Sequence, residues 1–145
     1  MERREFLSAV GAGAVALAGT ATTFVQSAEA AMEMNPAKYK SLQDASGHCV
    51  ATANDCLRHC IGMFAMKDYT MTGCINTAYQ VVAACAALQT LAAVNSPQVP
   101  AFAKATAEIC VACQKECEKH PGVAECTACA ASCKACADEC RKVAA

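Results

Sequence analysis

The sequence AECTACAASCKACADEC, residues 124–140, places five cysteines at intervals of three, four, three and four residues. Side chains at these intervals lie on one face of an α-helix, so the segment is predicted to form a helix with a continuous stripe of thiols. Residues 123–143 contain no Leu, Ile, Phe or Met, and the buried face therefore offers only cysteine, alanine and two terminal valines. The stripe consists of Cys126, Cys129, Cys133, Cys136 and Cys140.

The other eight cysteines form similar stripes on three further segments. Spacings of three, four, seven and eleven residues all return a side chain to nearly the same helix face. A core of cysteine and alanine alone would be underpacked, so something else is expected to fill it. These cysteines are Cys49, Cys56 and Cys60 in the first segment, Cys74 and Cys85 in the second, and Cys110, Cys113 and Cys117 in the third.

The segments that carry these stripes are predicted to be helices of an antiparallel four-helix bundle, an all-α fold. Residues rich in Ala, Lys, Glu and Gln favour helices, and turn clusters at 67–70, 95–97 and 120–122 separate them. Short connections favour antiparallel neighbours. A break near Ser46-Gly47 would add a short leading helix. The predicted helices are residues 36–66, 71–94, 99–119 and 123–143.

Composition excludes several classes of protein. The 145 residues suit one domain, and 13 cysteines exceed the usual share for a short chain. Because 13 is odd, disulfides within one chain would leave at least one thiol unpaired. A net charge of -1 without a basic run gives no electrostatic basis for nucleic-acid binding.

The first thirty residues are predicted to be a signal peptide. Arg3 and Arg4 precede an apolar stretch, and the sequence 27–30, SAEA, supplies a cleavage site after Ala30. The arginine pair followed by Phe and Leu favours the twin-arginine route, although Glu2 stands where Ser or Thr is usual. We therefore expect a periplasmic protein whose functional domain is residues 31–145. The stretch is too weakly apolar to predict a membrane span.

Three roles for the thiols compete with metal storage. Disulfides within one helix are geometrically poor, and bridges between helices would need close backbone approach at every level. Iron–sulfur clusters use cysteines on loops, whereas the spacing here is helical throughout. Zinc knuckles are turns, whereas the C-x-x-C pairs at 110–113, 126–129 and 133–136 are placed within helices. An iron–sulfur electron-transfer module and a disulfide-stapled domain remain the alternative hypotheses.

Monovalent copper suits these stripes best. Cu(I) prefers thiolate and thioether ligands. Two sulfurs at positions i and i+4, as in Cys56/Cys60 or Cys129/Cys133, lie close enough to share one ion. One thiolate per Cu(I) leaves no net charge, so a column of ions avoids the cost of burying a large charge. The sequence therefore predicts several Cu(I) ions per chain.

A cluster of further soft ligands follows Cys60. Met63, Met66 and Met71 lie where the first two helices join, and His59 is adjacent to Cys60. Methionine at helical spacing more often packs in a core. Thioethers nevertheless bind Cu(I) without deprotonation, which suits an entrance beside a column of thiols.

These motifs resemble those of the exported bacterial copper storage proteins. The sequence CLRHC at 56–60, the methionines that follow, and the stripes at 110–117 and 126–140 carry a resemblance that spans essentially the whole mature chain. The resemblance implies a tetramer of four-helix bundles that stores Cu(I) for copper enzymes and limits its toxicity. It also implies that all 13 cysteines are ligands and that His59, Met63, Met66 and Met71 form the site at the open mouth.

No catalytic constellation accompanies the thiols. The sequence contains no paired histidine–carboxylate pattern, no Gly-rich phosphate loop and no nucleophile with an evident base. With 13 similar thiols, a single special nucleophile is not expected. We therefore expect a binding protein and not an enzyme.

Overall fold

A computed structural model describes residues 35–144, and the predicted signal peptide at residues 1–30 lies outside them. The described residues form four α-helices and no strand. These helices are α1 (Lys40–Ala65), α2 (Thr72–Ala93), α3 (Val99–Cys117) and α4 (Ala124–Val143). Their bounds agree with the predicted segments to within a few residues.

The helices pack as a four-sided bundle. Helix α1 packs against α2 and α4, and α3 packs against the same two neighbours. Short connections make consecutive helices antiparallel. One end of the bundle, named here the Cys60 end, is therefore formed where α1 and α3 end and α2 and α4 begin. The other, the Leu42 end, is formed where α1 and α3 begin. This architecture confirms the predicted fold.

A residue in the left-handed backbone conformation follows the end of each of the first two helices. Lys67 has a φ of 65° and Asn95 a φ of 52°. After α1, the Asp68 N–H donates to the Met63 carbonyl at 3.0 Å, and after α2 the Ser96 N–H donates to the Leu91 carbonyl at 3.0 Å. These bonds satisfy carbonyls that the last helical turn leaves unpaired, which is the Schellman arrangement. The predicted turns therefore have a defined physical basis.

The break expected near Ser46-Gly47 is absent, because α1 runs without interruption through both residues. Ser46 is completely buried. A Cβ atom on Gly47 would lie 2.6 Å from the Gln89 Nε2 atom. The atom is the far end of a flexible side chain, so this contact does not itself require glycine. The buried face of α1 continues through this turn, and its packing overcomes the weak helix propensity of glycine.

The core changes character along the bundle. At the Leu42 end, the fully buried side chains include Leu42, Leu88 and Val99. Each contributes on the order of 1.5–3 kcal/mol by burial. In α4, by contrast, the buried residues are only cysteine, alanine and Ser132. The Leu42 end is thus an ordinary apolar core, and sulfur replaces it toward the Cys60 end.

Within residues 35–144, no helix is long and apolar enough to cross a membrane.

Candidate metal centre

All thirteen cysteines lie in the bundle interior, with no side chain more than 1% exposed. Each is a free thiol. The shortest distances between sulfurs that the structure shows, such as Cys56 Sγ to Cys74 Sγ, are 3.3 Å, whereas a disulfide bond measures about 2.05 Å. No such pair is at bonding distance, and every thiol lies within a helix rather than on a loop that wraps a cluster.

One group of sulfurs takes a member from each helix. Cys49, Cys85, Cys110 and Cys136 belong to α1, α2, α3 and α4, and their Sγ atoms all lie within 4.8 Å of one another. The Cys85 sulfur is 3.7 Å from that of Cys110 and 3.8 Å from that of Cys136. We name this set the four-helix cluster. It lies between the sulfur-rich and apolar parts of the core.

A second group lies at the Cys60 end. Cys56, Cys60, Cys74 and Cys126 also have their sulfurs within 4.8 Å of one another. The Cys56 sulfur lies 3.9 Å from that of Cys60, 3.3 Å from that of Cys74 and 3.8 Å from that of Cys126. We name this set the Cys60-end cluster. Helices α1, α2 and α4 supply its members.

Two groups of three sulfurs connect these clusters. Cys56, Cys117 and Cys129 form one group, and Cys113, Cys129 and Cys133 form the next. The Cys133 sulfur in turn lies 3.6 Å from that of Cys49 in the four-helix cluster. The sulfurs thus form a continuous column along the bundle. The predicted pairs at i and i+4 lie within it, with 4.0 Å between the sulfurs of Cys129 and Cys133.

Cys140 differs from the other cysteines. It is buried, but it belongs to none of the groups of three or four close sulfurs among the described residues. Its place on α4 is one turn beyond Cys136, toward the Leu42 end. The stripe in the sequence did not distinguish it from its neighbours.

The structure brings two of the four additional predicted ligands, Met63 and Met71, to the core at the Cys60 end. Met71 is buried and caps the start of α2, while Met63 is half-buried against the core. Met66 is 69% exposed and lies outside this layer. The His59 Nδ1 atom is 3.7 Å from a Glu125 carboxylate oxygen. These two side chains lie side by side where α1 ends and α4 begins.

His59 also carries an unsatisfied atom. Its Nε2 is buried, and within residues 35–144 no hydrogen-bond partner faces it. A buried polar atom without a partner costs free energy unless something binds it. This atom is therefore suited to accept a metal ion while the other ring nitrogen faces a carboxylate.

Ser46 is a polar neighbour of the sulfur column that the sequence reasoning missed. Its hydroxyl oxygen lies 3.8 Å from the Cys136 sulfur, and both groups are buried. The residue lies three positions before Cys49, on the same face of α1 as the cysteines. The spacing of three residues between Ser46 and Cys49 indicates a shared helix face, but the adjacent glycine favours a helix break at this position.

The buried surroundings change the acidity of the thiols. Burial, followed by the charges of Cys56 and Cys74, raises the pKa of the Cys60 thiol and that of the Cys126 thiol. In the four-helix cluster, hydrogen bonds from Cys110 and then Cys133 lower the pKa of Cys49 to about 5. Thiolates are thus stabilised where neighbouring thiols donate to them.

The bundle contains a buried column of free thiols, and thioether and imidazole groups lie near one end of it. A bundle with these ligands holds several soft metal ions. The family model of the copper storage proteins (Csp) matches residues 35–145. The chain belongs to the copper storage protein family.

Two solved structures resemble the bundle closely. One is the Cu(I)-bound copper storage protein BsCsp3, which is 30% identical with a TM-score of 0.67 over 73% of this chain and 97% of that one. The other is the apo form of copper storage protein 3 from Bacillus subtilis, 30% identical with a TM-score of 0.65 over 73% of this chain and 98% of that one. A comparison with curated protein sequences gives no significant match.

Proposed function

We propose that this protein stores many Cu(I) ions in its core and holds them for supply to copper enzymes while limiting their toxicity. The column of buried free thiols carries this conclusion. Sulfurs 3.3–4.0 Å apart allow one thiolate to serve two ions. Since one thiolate per Cu(I) leaves no net charge, the column can fill without a growing electrostatic penalty. Storage, rather than catalysis, is the role that the family implies.

The proposed ligands are the thirteen thiols together with the soft groups near the Cys60 end. The partnerless Nε2 atom of His59 supports its inclusion. We assign entry of copper to this end, because the opposite end is closed by large apolar side chains. The ligand set is Cys49, Cys56, Cys60, Cys74, Cys85, Cys110, Cys113, Cys117, Cys126, Cys129, Cys133, Cys136, Cys140, His59, Met63, Met66 and Met71.

The proposal includes export. Residues 1–30 are the proposed twin-arginine signal and residues 31–145 the copper-binding domain of a periplasmic protein. The arginine pair and the small residues before Ala30 support it. The mass of the protein recovered from the periplasm should correspond to cleavage after Ala30. Replacing Arg3 and Arg4 together by Lys should abolish export, and export that continues would contradict the assigned route.

Assembly into a tetramer is proposed as well. Large apolar side chains remain on the surface of the bundle, among them Ile61 at 47%, Phe64 at 49% and Tyr79 at 58% exposure. Such residues favour a contact with further subunits. Light scattering of the mature protein should give four chains per particle, and a monomer would contradict this proposal.

Titration of the reduced protein with Cu(I) tests the storage function. In competition with a chromogenic chelator and without oxygen, uptake should saturate near one ion per thiol, for 13 thiols in the chain. The same protein with its thiols alkylated provides the control and should bind far less. Saturation of the native protein at one or two ions would contradict storage.

A further inference from the structure

The four-helix cluster has a geometry that a single tetrahedral ion requires. Its four sulfurs come from four different helices and lie within 4.8 Å of one another. Distances of 3.7 Å and 3.8 Å separate the Cys85 sulfur from those of Cys110 and Cys136. Four sulfurs bound at about 2.3 Å around a tetrahedral ion are about 3.8 Å apart. These two distances therefore match a tetrathiolate site, and the remaining sulfur pairs of the set lie within 4.8 Å.

We propose that Cys49, Cys85, Cys110 and Cys136 also form a closed tetrahedral site for one divalent ion that favours thiolates, of the zinc class. Tetrahedral coordination by four sulfurs is typical of such ions, whereas Cu(I) accepts two or three. This site differs from a zinc knuckle, because its ligands are held by the packing of four helices and not by turns. It does not depend on the storage of Cu(I).

Binding at this site balances without a redox step. Four sulfur–metal bonds form, the cysteines lose all their thiol protons to solvent, and the ion with four thiolates carries two negative charges. Neighbouring donors can offset that charge. Once Cys136 is a thiolate, the Ser46 hydroxyl at 3.8 Å can only donate to it, and the Cys133 thiol at 3.6 Å can only donate to the Cys49 thiolate.

An ion at this position would also join all four helices. Helix α4 has few large side chains to anchor it. A ligand that binds only the folded state stabilises it by an amount that rises with the logarithm of its concentration relative to its Kd. The divalent ion should therefore raise the melting temperature of the copper-free protein. An ion bound at a surface site on a single helix would not be expected to do so.

Cobalt is the probe for this site. Copper-free, reduced protein is titrated with Co²⁺ without oxygen, and the bound ions are counted by metal analysis. We expect the intense visible absorption of tetrahedral cobalt thiolate, followed by its loss when Zn²⁺ displaces Co²⁺. Cys85→Ser should bind one ion fewer per chain than the native protein. Ser132→Ala is the control, since it changes a buried α4 residue that is not a proposed ligand, and it should bind the native number.

Each outcome of the cobalt experiment either supports or overturns the proposed site. A weak six-coordinate cobalt spectrum in the native protein would overturn the proposal without any variant. An unchanged ion count in Cys85→Ser, or an equal loss in Ser132→Ala, would also overturn it. Far-UV circular dichroism shows whether the variants fold, and Cys110→Ser provides a second test on another helix. Zn²⁺ should raise the melting temperature of the native protein and of Ser132→Ala but not that of Cys85→Ser.

Discussion

The Cys56 and Cys74 sulfurs lie 3.3 Å apart, although these residues are eighteen positions apart and belong to different helices. The Cys117 sulfur of α3 is also 3.3 Å from that of Cys74. Three helices therefore bring their thiols together at one point of the bundle. Cys56 is shared further, since it belongs both to the Cys60-end cluster and to the group with Cys117 and Cys129.

Replacement of Cys56 should reduce copper capacity by more than one ion. Its sulfur lies in two groups, so Cys56→Ser removes a shared ligand from both. Cys140→Ser removes a thiol outside the groups and should cost at most one ion. Cu(I) titration against a chelator measures both capacities. Equal losses in the two variants would show that the shared position of Cys56 has no influence on loading.

The apolar end should stabilise the bundle without contributing to copper binding. Leu88 is completely buried, and Leu88→Ala should lower the free energy of unfolding of the copper-free protein by about 2–5 kcal/mol. Val94 is 66% exposed, so Val94→Ala should change stability by less than about 0.5 kcal/mol. Denaturant unfolding measures both. Copper capacity should stay unchanged in each variant, and a loss of several ions in Leu88→Ala would contradict this separation.

His59 should control the rate of copper uptake. His59 is adjacent in sequence to Cys60, a member of the Cys60-end cluster, and its buried Nε2 atom has no hydrogen-bond partner within residues 35–144. His59→Gln should therefore slow loading and reduce the capacity by no more than one ion. His48 is an exposed histidine of the same helix, and His48→Gln is the matched control. Stopped-flow mixing with a Cu(I)–chelator complex measures the rates. Identical loading rates for the two variants would contradict a role of His59 in copper entry.

Copper affinity at the Cys60 end should increase with pH. Because burial raises the pKa of Cys60 and of Cys126 above the ordinary value of about 8.5, both thiols are protonated from about pH 6 to pH 8. Each must lose its proton to bind Cu(I), so affinity should rise about tenfold per pH unit for each proton displaced. Chelator competition at several pH values measures this, and proton release in weak buffer checks it. An affinity independent of pH would contradict protonated thiols.

Much of the fold followed from local patterns in the sequence. The cysteine spacing on α4 identified both the helix and its buried face, since three- and four-residue steps have no other simple explanation. The turn residues Lys67 and Asn95 lie in segments that were predicted to separate helices, and their left-handed backbone explains why. The predicted helix break at Gly47 was wrong, because the buried face of α1 continues past it through Ser46 and Cys49, and tertiary packing overrides local propensity there.

The grouping of sulfurs across helices could not be predicted in the same way. Spacing fixes the face of each helix, but the height and rotation of one helix against another depend on packing in three dimensions. No pattern in the sequence therefore indicates that Cys49 groups with Cys85, Cys110 and Cys136, or that Cys140 lies outside the groups. The hydroxyl of Ser46 beside Cys136 was missed for the same reason.

Copper should fill the interior of the bundle, and anomalous diffraction from crystals of the Cu(I)-loaded protein shows whether it does. Data collected on both sides of the copper absorption edge locate the copper atoms independently of the protein density. We expect a row of copper peaks between the four helices, from the Cys60-end cluster to the four-helix cluster, each bonded to at least two cysteine sulfurs. Copper confined to surface histidine and methionine residues, with an empty row of thiols, would contradict it.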